Sequence, residues 1–265
     1  MDPRFSVVAL SATSQNERVL AIARQCIEVL FNKGIKVLID EHLSKLKSKH
    51  LTISSTKSVI AKADLMIAIG GDGTMLNCSR KYGSRGIPVL GINLGNLGFL
   101  ADIDPNDVTS NLLKIIEGEF TEDRRFFLEG SIQSKKAEFL ALNEIVIHSG
   151  KVAQLIEFNL FIDDTFVYRQ KADGLIISSP TGSTAYSLSG GGPIVHPNVD
   201  TIILVSMLPH NLNTSPLLVE AGSKIRVDLE KQKAILSFDS HENFSLSGNS
   251  SINISKAKSS FHFLT

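Results

Sequence analysis

Apolar residues in the first third of the chain occur alternately as short continuous runs and at helical spacing. The run Phe5–Leu10 predicts a first β-strand. Apolar residues then follow at the spacing of one helix face, at Leu20, Ala23, Ile27 and Leu30. Ser14 and Glu17 match a capping box in front of this helix, and Gly34 is placed to end it.

The alternation of strand and helix continues to about residue 120. Further continuous apolar runs predict strands at Ile35–Ile39, Leu65–Ile69 and Ile87–Ile92. Helical patterns lie at Ser54–Lys62, directly after the glycine turn at Gly70–Thr74, and at Asp107–Glu117. Continuous apolar strands separated by helices are typical of a parallel sheet that is covered on both faces. We therefore predict an α/β, Rossmann-like N-terminal domain over residues 1–120.

From about residue 135 the pattern changes to short strands joined by polar turns. Apolar and polar residues alternate along several of them, at Ile156–Ile162, Lys224–Leu229, Ala234–Phe238 and Ser245–Ile254. Asp163-Asp164 and the polar stretch Glu230–Lys233 are typical of turns. Many short antiparallel strands indicate an all-β, sandwich-like C-terminal domain, which we assign to residues 121–265.

Composition excludes several classes of partner. The 265 residues contain 27 basic and 27 acidic side chains, with no basic block, so a nucleic-acid surface is not expected. The longest apolar runs have the length of strands, so no membrane span is expected. The first residues lack the cationic head of a signal peptide, and only two cysteines occur. We therefore expect a reduced, cytoplasmic setting without a disulfide.

The turn Gly70–Thr74, with the sequence GGDGT, follows a predicted parallel strand. Ligands bind at the carboxyl ends of such strands, and glycines let the backbone approach them closely. Asp72 is unusual beside an anion, because a carboxylate repels phosphate. It can bind a divalent cation, or it can accept a proton from an attacking hydroxyl, and both belong to phosphoryl transfer. A tight turn without any ligand is the alternative.

A second polar cluster lies at residues 172–197. Asp173 precedes the apolar run Leu175–Ile177, and a stretch rich in serine, threonine and glycine follows with Tyr186 inside it. Such a stretch offers hydroxyl and backbone N–H groups, and a tyrosine adds a flat ring. Upstream, Asn143-Glu144 forms a polar pair at the start of an apolar run. The alternatives are a plain surface loop and a strand that begins at the surface.

These motifs together resemble the NAD kinase family of bacteria. The resemblance rests on GGDGT, on Asn143-Glu144 and on DGLIISSPTGSTAYSLSGGGPI at residues 173–194, and GINLGNLGFLADI at residues 91–103 agrees with it. It implies transfer of the γ-phosphoryl group of ATP to the 2′-hydroxyl of the adenosine ribose in NAD, with a divalent metal such as Mg²⁺. It also implies a homodimer or homotetramer, and last residues that pack back on the first domain.

The resemblance also implies roles for individual residues. Asp72 would be the catalytic proton acceptor, and Gly73 would flank substrate phosphates. The nicotinamide nucleotide would be held by a larger set, namely Asn143, Glu144, Asp173, Thr184, Ala185, Tyr186, Ser187, Leu188 and Ser189. Three further candidates depart from the family pattern: Lys171 replaces a common arginine, Gln154 a histidine of some relatives and His241 a glutamine.

Two other functions remain open from the sequence. A lipid or sugar kinase could share only the GGDGT turn, although TGSTAYS at residues 181–187 argues against it. A nucleotide-binding module without catalytic activity is the other alternative, and the retained Asp72 argues against that.

Overall fold

The chain divides into two compact units. A computed structural model describes residues 3–46, 51–94, 98, 100, 103–132, 138–151, 154–210 and 215–265. Unit 1 consists of residues 1–124 together with 259–265, and unit 2 of residues 125–258. The domain boundary expected at residue 120 stays a prediction. The glycine-rich match at residues 91–103 falls partly on 95–97, 99 and 101–102, which lie outside the described residues.

Unit 1 contains a parallel sheet. Its strands are Val7–Ala12 (β1), Lys36–Ile39 (β2), Leu51–Ile53 (β3), Leu65–Gly70 (β4) and Val89–Asn93 (β5). They lie in the order β5-β4-β1-β2-β3, and all these pairs are parallel. The helices are Glu17–Asn32 (α1), Thr56–Lys62 (α2), Asp72–Tyr82 (α3) and Val108–Glu117 (α4). At the end of the chain Phe263 and Leu264 pair in parallel with β5.

The sheet of unit 1 is covered on both faces. Helices α1 and α4 pack together on one side, where Leu30 and Ile116 are fully buried against Ile67 of β4. Helix α3 contributes Cys78 and Tyr82 as fully buried residues. This explains why the strands are continuous apolar runs, since both faces of a strand need apolar side chains. The predicted α/β class is confirmed for this part of the chain.

Helix α1 begins later than the capping-box pattern predicted. Its N-cap is Asn16, whose Oδ1 accepts a hydrogen bond from the backbone N–H of Val19 at 2.9 Å. The cap assignment to Ser14 was therefore wrong, because Asn16 satisfies the free N–H group of the first turn. The predicted end is confirmed: the helix stops at Asn32, and Gly34 has a φ of +72°, a left-handed conformation that glycine adopts without strain.

The hydrophobic pattern did not predict β3 of unit 1. Strand β3 (Leu51–Ile53) lies in a stretch that reads as polar, and a short 3₁₀ helix at Glu41–Leu43 precedes it. Among the described residues strand β3 pairs with β2 alone, and Thr52 and Ile53 are exposed. A three-residue edge strand that buries so little carries no clear hydrophobic pattern.

Unit 2 contains two antiparallel sheets. The strands are Glu122–Ile132 (β6, which starts in unit 1), Glu138–Ala141 (β7), Glu144–His148 (β8), Ile156–Ile162 (β9), Thr165–Ala172 (β10), Gly174–Ser178 (β11), Thr201–Met207 (β12), Leu217–Glu220 (β13), Ile225–Leu229 (β14), Ala234–Phe238 (β15), Glu242–Leu246 (β16) and Ser251–Leu264 (β17, which ends in unit 1). One sheet has the order β10-β9-β14-β17, and the other β13-β12-β11-β8-β15-β16. A short helix, Tyr186–Ser189 (α5), follows β11.

The core of unit 2 lies between these two sheets. Phe158 and Leu160 of β9 belong to the same buried cluster as Ile147 of β8, Ile177 of β11 and Leu236 of β15. Strand β9 alternates between buried and half-buried residues, as the sequence pattern predicted. The sandwich-like β class is therefore confirmed.

The alternating run Ser245–Ile254 is not one strand. It divides between the end of β16 at Leu246 and the start of β17 at Ser251, and a turn at 247–250 separates them. Asn249 in this turn has a φ of +62°. The alternation of apolar and polar residues does not reveal this turn, because a short polar turn has the same polarity as the exposed face of a strand.

No helix within the described ranges is long and apolar enough to cross a membrane.

Candidate active site

The glycine turn of unit 1 is a tight connection at the carboxyl end of β4. Strand β4 ends at Gly70, Gly71 is the N-cap of α3, and Asp72 is the first residue of that helix. A side chain at Gly70 would place its Cβ 2.1 Å from the Thr74 hydroxyl oxygen, which explains glycine there. That hydroxyl lies 2.9 Å from the hydroxyl of Thr13. The contact between the hydroxyl groups of Thr13 and Thr74 thus helps to hold the turn.

The carboxylate of Asp72 is held in one orientation. Its Oδ1 accepts a hydrogen bond from the backbone N–H of Leu100 at 3.1 Å. A Cβ on Gly98 would lie 2.3 Å from the same oxygen, so the backbone there passes close by because it carries no side chain. The amino-terminal end of a helix also favours a negative charge. Gly73, the next residue, is exposed, and a Cβ there would meet no described atom within 4 Å apart from its chain neighbours and the backbone of α3.

Two buried polar side chains lie at the start of strand β8 in unit 2, where Asn143 directly precedes the strand and Glu144 is its first residue. Asn143 is 8% and Glu144 4% exposed, so the alternative of a strand that begins at the surface is wrong. Among the described residues, neither Oδ1 of Asn143 nor Oε2 of Glu144 has a hydrogen-bond partner. Such atoms cost free energy unless something satisfies them. Their arrangement therefore suits the recognition of a polar ligand.

Burial changes the chemistry of Glu144. Loss of hydration raises the pKa of its carboxyl to about 8, the nearby charge of Asp239 raises it further, and a hydrogen bond from the backbone of Tyr186 partly opposes both. At neutral pH this carboxyl is mostly protonated, so it can donate one hydrogen bond as well as accept others.

The serine-rich stretch after β11 packs inward. Ser178, Ser179 and Ser183 are fully buried, so the alternative of a plain surface loop is wrong. The stretch continues as a 3₁₀ helix at Thr181–Thr184 and then as α5. Thr184 and Ala185 are half-buried, Ser187 is buried, and three residues are exposed, namely Tyr186, Leu188 and Ser189. The fold therefore brings Thr184–Ser189 close to Glu144, since the Tyr186 backbone contacts that carboxyl.

The remaining candidates are not brought to this cluster. Asp173 directly precedes β11, whereas Glu144 pairs with Ser178 at the other end of that strand. The distance along β11 is roughly 14 Å at about 3.4 Å per residue. Lys171 is exposed on β10, where its Nζ lies 3.7 Å from Oε2 of Glu157.

Gln154 and His241 are both exposed. His241 stands in the turn between β15 and β16, where its backbone N–H donates to the Phe238 carbonyl at 3.0 Å. No described contact connects the side chain of either residue with Asn143 or Glu144.

Sequence reasoning missed Asp239, two residues before His241. Its carboxylate is 4% exposed and accepts hydrogen bonds from the backbone N–H groups of Leu142, Asn143 and Glu144. An aspartate directly after an apolar strand is a weak signal, because the same pattern begins many ordinary turns.

The described residues contain no group of three His, Cys, Asp or Glu side chains that could hold a metal ion. Mg²⁺ commonly needs only one or two carboxylates together with substrate phosphates and water. Asp72 is a carboxylate of that kind at the glycine turn, so its chemistry fits an ion that arrives with ATP.

Comparisons with known proteins agree with this architecture. The chain matches the ATP-NAD kinase N-terminal domain over residues 8–120 and the ATP-NAD kinase C-terminal domain over residues 142–265. The NAD kinase of Alcanivorax borkumensis is 39% identical over an alignment of 267 positions, which covers 98% of this chain and 89% of that protein. The NAD kinase of Teredinibacter turnerae is 44% identical over 227 residues, which cover 84% and 78%.

Solved structures give the same result at lower identity. Yeast NADH kinase complexed with NADH has a TM-score of 0.91 at 27% identity and covers 98% of this chain and 83% of its own. An NAD kinase from Archaeoglobus fulgidus in complex with ATP has a TM-score of 0.79 at 28% identity, with coverage of 98% and 93%.

These matches assign the chain to the phosphotransferases whose acceptor is an alcohol group, and the fixed aspartate at the glycine turn agrees with that class. The matches to both domains do not favour the alternatives, which were a lipid or sugar kinase and a nucleotide-binding module without catalytic activity. The chain belongs to the ATP-NAD kinase family. Its reaction transfers the γ-phosphoryl group of ATP to the 2′-hydroxyl of the adenosine ribose of NAD, which yields NADP.

Proposed function

We propose that Asp72 accepts the proton of the ribose 2′-hydroxyl during transfer. The hydroxyl oxygen forms a bond to the γ-phosphorus, the bond from that phosphorus to the β–γ bridging oxygen breaks, and ADP leaves. The proton passes to the carboxylate of Asp72. The hydrogen bond from Leu100 and the close backbone at Gly98 support this role, because they hold the carboxylate in one place.

Substitution of Asp72 by asparagine tests this role. Asn keeps the shape of the side chain but cannot accept the proton, so we expect kcat to fall about a hundredfold or more. NAD affinity, measured by calorimetry, should change little. Asp107→Asn is the matched control, because Asp107 is exposed at the start of α4 and makes no side-chain cap hydrogen bond. Wild-type turnover in Asp72→Asn would remove Asp72 from the reaction.

A divalent cation, Mg²⁺ in the first instance, is the proposed cofactor. Bound with ATP, it would neutralise phosphate charge, a role that otherwise needs a lysine. The chain lacks the G-x-x-x-x-G-K-[ST] loop that supplies such a lysine.

Metal removal tests this proposal. Excess EDTA should abolish NADP formation, and Mg²⁺ added beyond the chelator should restore it. Melting in the presence of EDTA should remain unchanged, because the metal serves the phosphates rather than the fold. Full turnover in chelator would contradict the proposal.

Asn143 and Glu144 are the residues proposed to hold NAD. The observation that carries this proposal is the pair of buried side-chain oxygens, Oδ1 of Asn143 and Oε2 of Glu144, that no described group satisfies. Sugar hydroxyls and base edges offer the complementary donors and acceptors. Thr184–Ser189 would line the same site, and the ring of Tyr186, 42% exposed, offers a flat surface for a base.

We further propose that NAD contacts two subunits of a homodimer or homotetramer. The support is the distance of Lys171 and Asp173 from Glu144, since both precede β11 and Glu144 pairs with the other end of that strand. In the proposed assembly Lys171 and Asp173 serve the site of a neighbouring subunit. Roles for Gln154 and His241 in binding, and the cytoplasmic location, stay predictions.

A further inference from the structure

Three consecutive backbone N–H groups converge on one buried carboxylate in unit 2. Oδ2 of Asp239 accepts from Leu142 at 2.8 Å. Oδ1 of Asp239 accepts from Asn143 at 2.8 Å and from Glu144 at 3.2 Å. The backbone N–H of Asp239 in turn donates to the Glu144 carbonyl at 3.1 Å. The segment 142–144 is therefore fixed on its N–H side by one residue that is distant in sequence.

The carbonyl groups of the same segment are held from another direction. The backbone N–H of Ser179 donates to the Asn143 carbonyl at 2.9 Å, and the Ser179 hydroxyl donates to the Leu142 carbonyl at 2.6 Å. The Ser178 hydroxyl adds a bond to the Asn143 carbonyl at 3.2 Å. The backbone of 142–144 is thus satisfied within the protein, while Oδ1 of Asn143 and Oε2 of Glu144 are not satisfied by any described group.

The residue type at position 239 suits this task in two ways. Asp239 has a φ of +46°, a left-handed conformation that aspartate, asparagine and glycine tolerate best. An ionised aspartate also has two acceptor oxygens and no donor, so it can meet three N–H groups at once. An apolar side chain would leave these buried N–H groups unpaired.

We propose that Asp239 is a positioning residue for the NAD site, which it serves by fixing the backbone of residues 142–144 so that the side chains of Asn143 and Glu144 meet the dinucleotide. This inference rests on the proposed role of those two side chains. Asp239 makes no contact with NAD in this scheme. Its loss therefore weakens the binding of NAD and leaves the binding of ATP almost unchanged.

The experiment uses a graded series in the full-length protein. Asp239→Asn keeps one acceptor oxygen and a compatible backbone, whereas Asp239→Gly keeps only the backbone. Ser179→Ala is a milder change on the carbonyl side. Asp164→Asn is the matched control, because Asp164 is an exposed aspartate with a φ of +63° in the β9–β10 turn. Asn143→Ala is the reference for loss of a proposed NAD contact.

The readouts are the dissociation constants of NAD and ATP by calorimetry, KM and kcat, and the melting temperature. We expect NAD affinity to fall about tenfold or more in Asp239→Asn, further in Asp239→Gly and several-fold in Ser179→Ala. ATP affinity should stay within about twofold throughout, and the control should equal the wild type. In Asp239→Asn combined with Asn143→Ala, the loss should be smaller than the product of the two single losses.

Other outcomes separate the two proposals. If Asn143→Ala binds NAD like the wild type, the assignment of the NAD site fails. If Asn143→Ala loses NAD affinity while Asp239→Asn and Ser179→Ala do not, the positioning role is overturned. Equal losses of NAD and ATP affinity in the Asp239 series, with a lower melting temperature, would show a role in folding alone and would also overturn it.

Discussion

At the scale of single residues, Glu144 shows a conflict between burial and charge. Its carboxyl is almost fully enclosed, and its pKa is raised to about 8, first by burial and then by the charge of Asp239. A group whose pKa is raised on folding holds a proton that the unfolded chain releases. Stability therefore falls as the pH rises from about 4.5, where a glutamate ordinarily ionises, to about 8.

The substitution Glu144→Gln tests this linkage. The variant cannot titrate at this position, so its free energy of unfolding should rise relative to the wild type by on the order of 1 kcal/mol per pH unit across that window. Urea unfolding at pH 5, 6.5 and 8 measures the difference. Glu242→Gln, an exposed change on β16, is the control. A difference between Glu144→Gln and wild type that does not vary with pH would contradict the assigned burial effect.

At the scale of secondary structure, helix α1 shows how a local signal is misread. Ser14 and Glu17 have the spacing of a capping box, but Asn16 makes the capping hydrogen bond. Serine and asparagine can both cap a helix, and Ser14 and Asn16 are only two positions apart. Which one caps depends on where the chain leaves β1, and tertiary packing decides that.

The two candidate caps can be compared directly. Asn16→Ala should lower the free energy of unfolding by about 1 kcal/mol, because the backbone N–H of Val19 in the first turn loses its acceptor. Ser14→Ala should lower the free energy of unfolding much less, since the Ser14 hydroxyl accepts an exposed hydrogen bond from the Asn16 side chain at 3.3 Å. Urea unfolding of both variants gives the comparison, and a larger cost for Ser14→Ala would show that the cap is misassigned.

The apolar pattern predicted several strands that are buried on both faces, but it missed the buried strand β12 as well as the edge strand β3. Strands β4 and β11 are continuous apolar runs because apolar groups cover both sides, so their patterns were unambiguous. Strand β3 was missed because a short exposed edge needs few apolar residues. The turn before β17 was missed because its polarity continues the alternation of the strands beside it.

At the scale of the whole molecule, unit 2 brings together residues that are distant in sequence. Strand β8 lies between β11 and β15, so Asn143 and Glu144 meet Ser179 on one side and Asp239 on the other. Asp173 remains at the opposite end of β11. In the proposed assembly that end belongs to the site of a neighbouring subunit.

Mixed assemblies test the sharing of residues between subunits. Asp72→Asn and Asp173→Asn should each have low activity alone. Co-expressed, they should regain part of the wild-type NADP formation, because some sites then combine an intact Asp72 from one subunit with an intact Asp173 from the other. The control mixes Asp72→Asn with the double variant Asp72→Asn/Asp173→Asn. This mixture lacks Asp72 in every subunit and should stay inactive. Activity no greater than the sum of the two parents would contradict a shared site.

Most elements of unit 1, the family resemblance and most candidate residues were readable from the chain itself, because buried strands, glycine turns and short polar motifs are local properties. The orientation of Asp72 and the unsatisfied oxygens of Asn143 and Glu144 were not. They depend on groups far along the chain, among them the backbone N–H of Leu100 and the carboxylate of Asp239. Only the packing of the sheets decides which of these distant groups meet, because hydrogen bonding and burial act between neighbours in space.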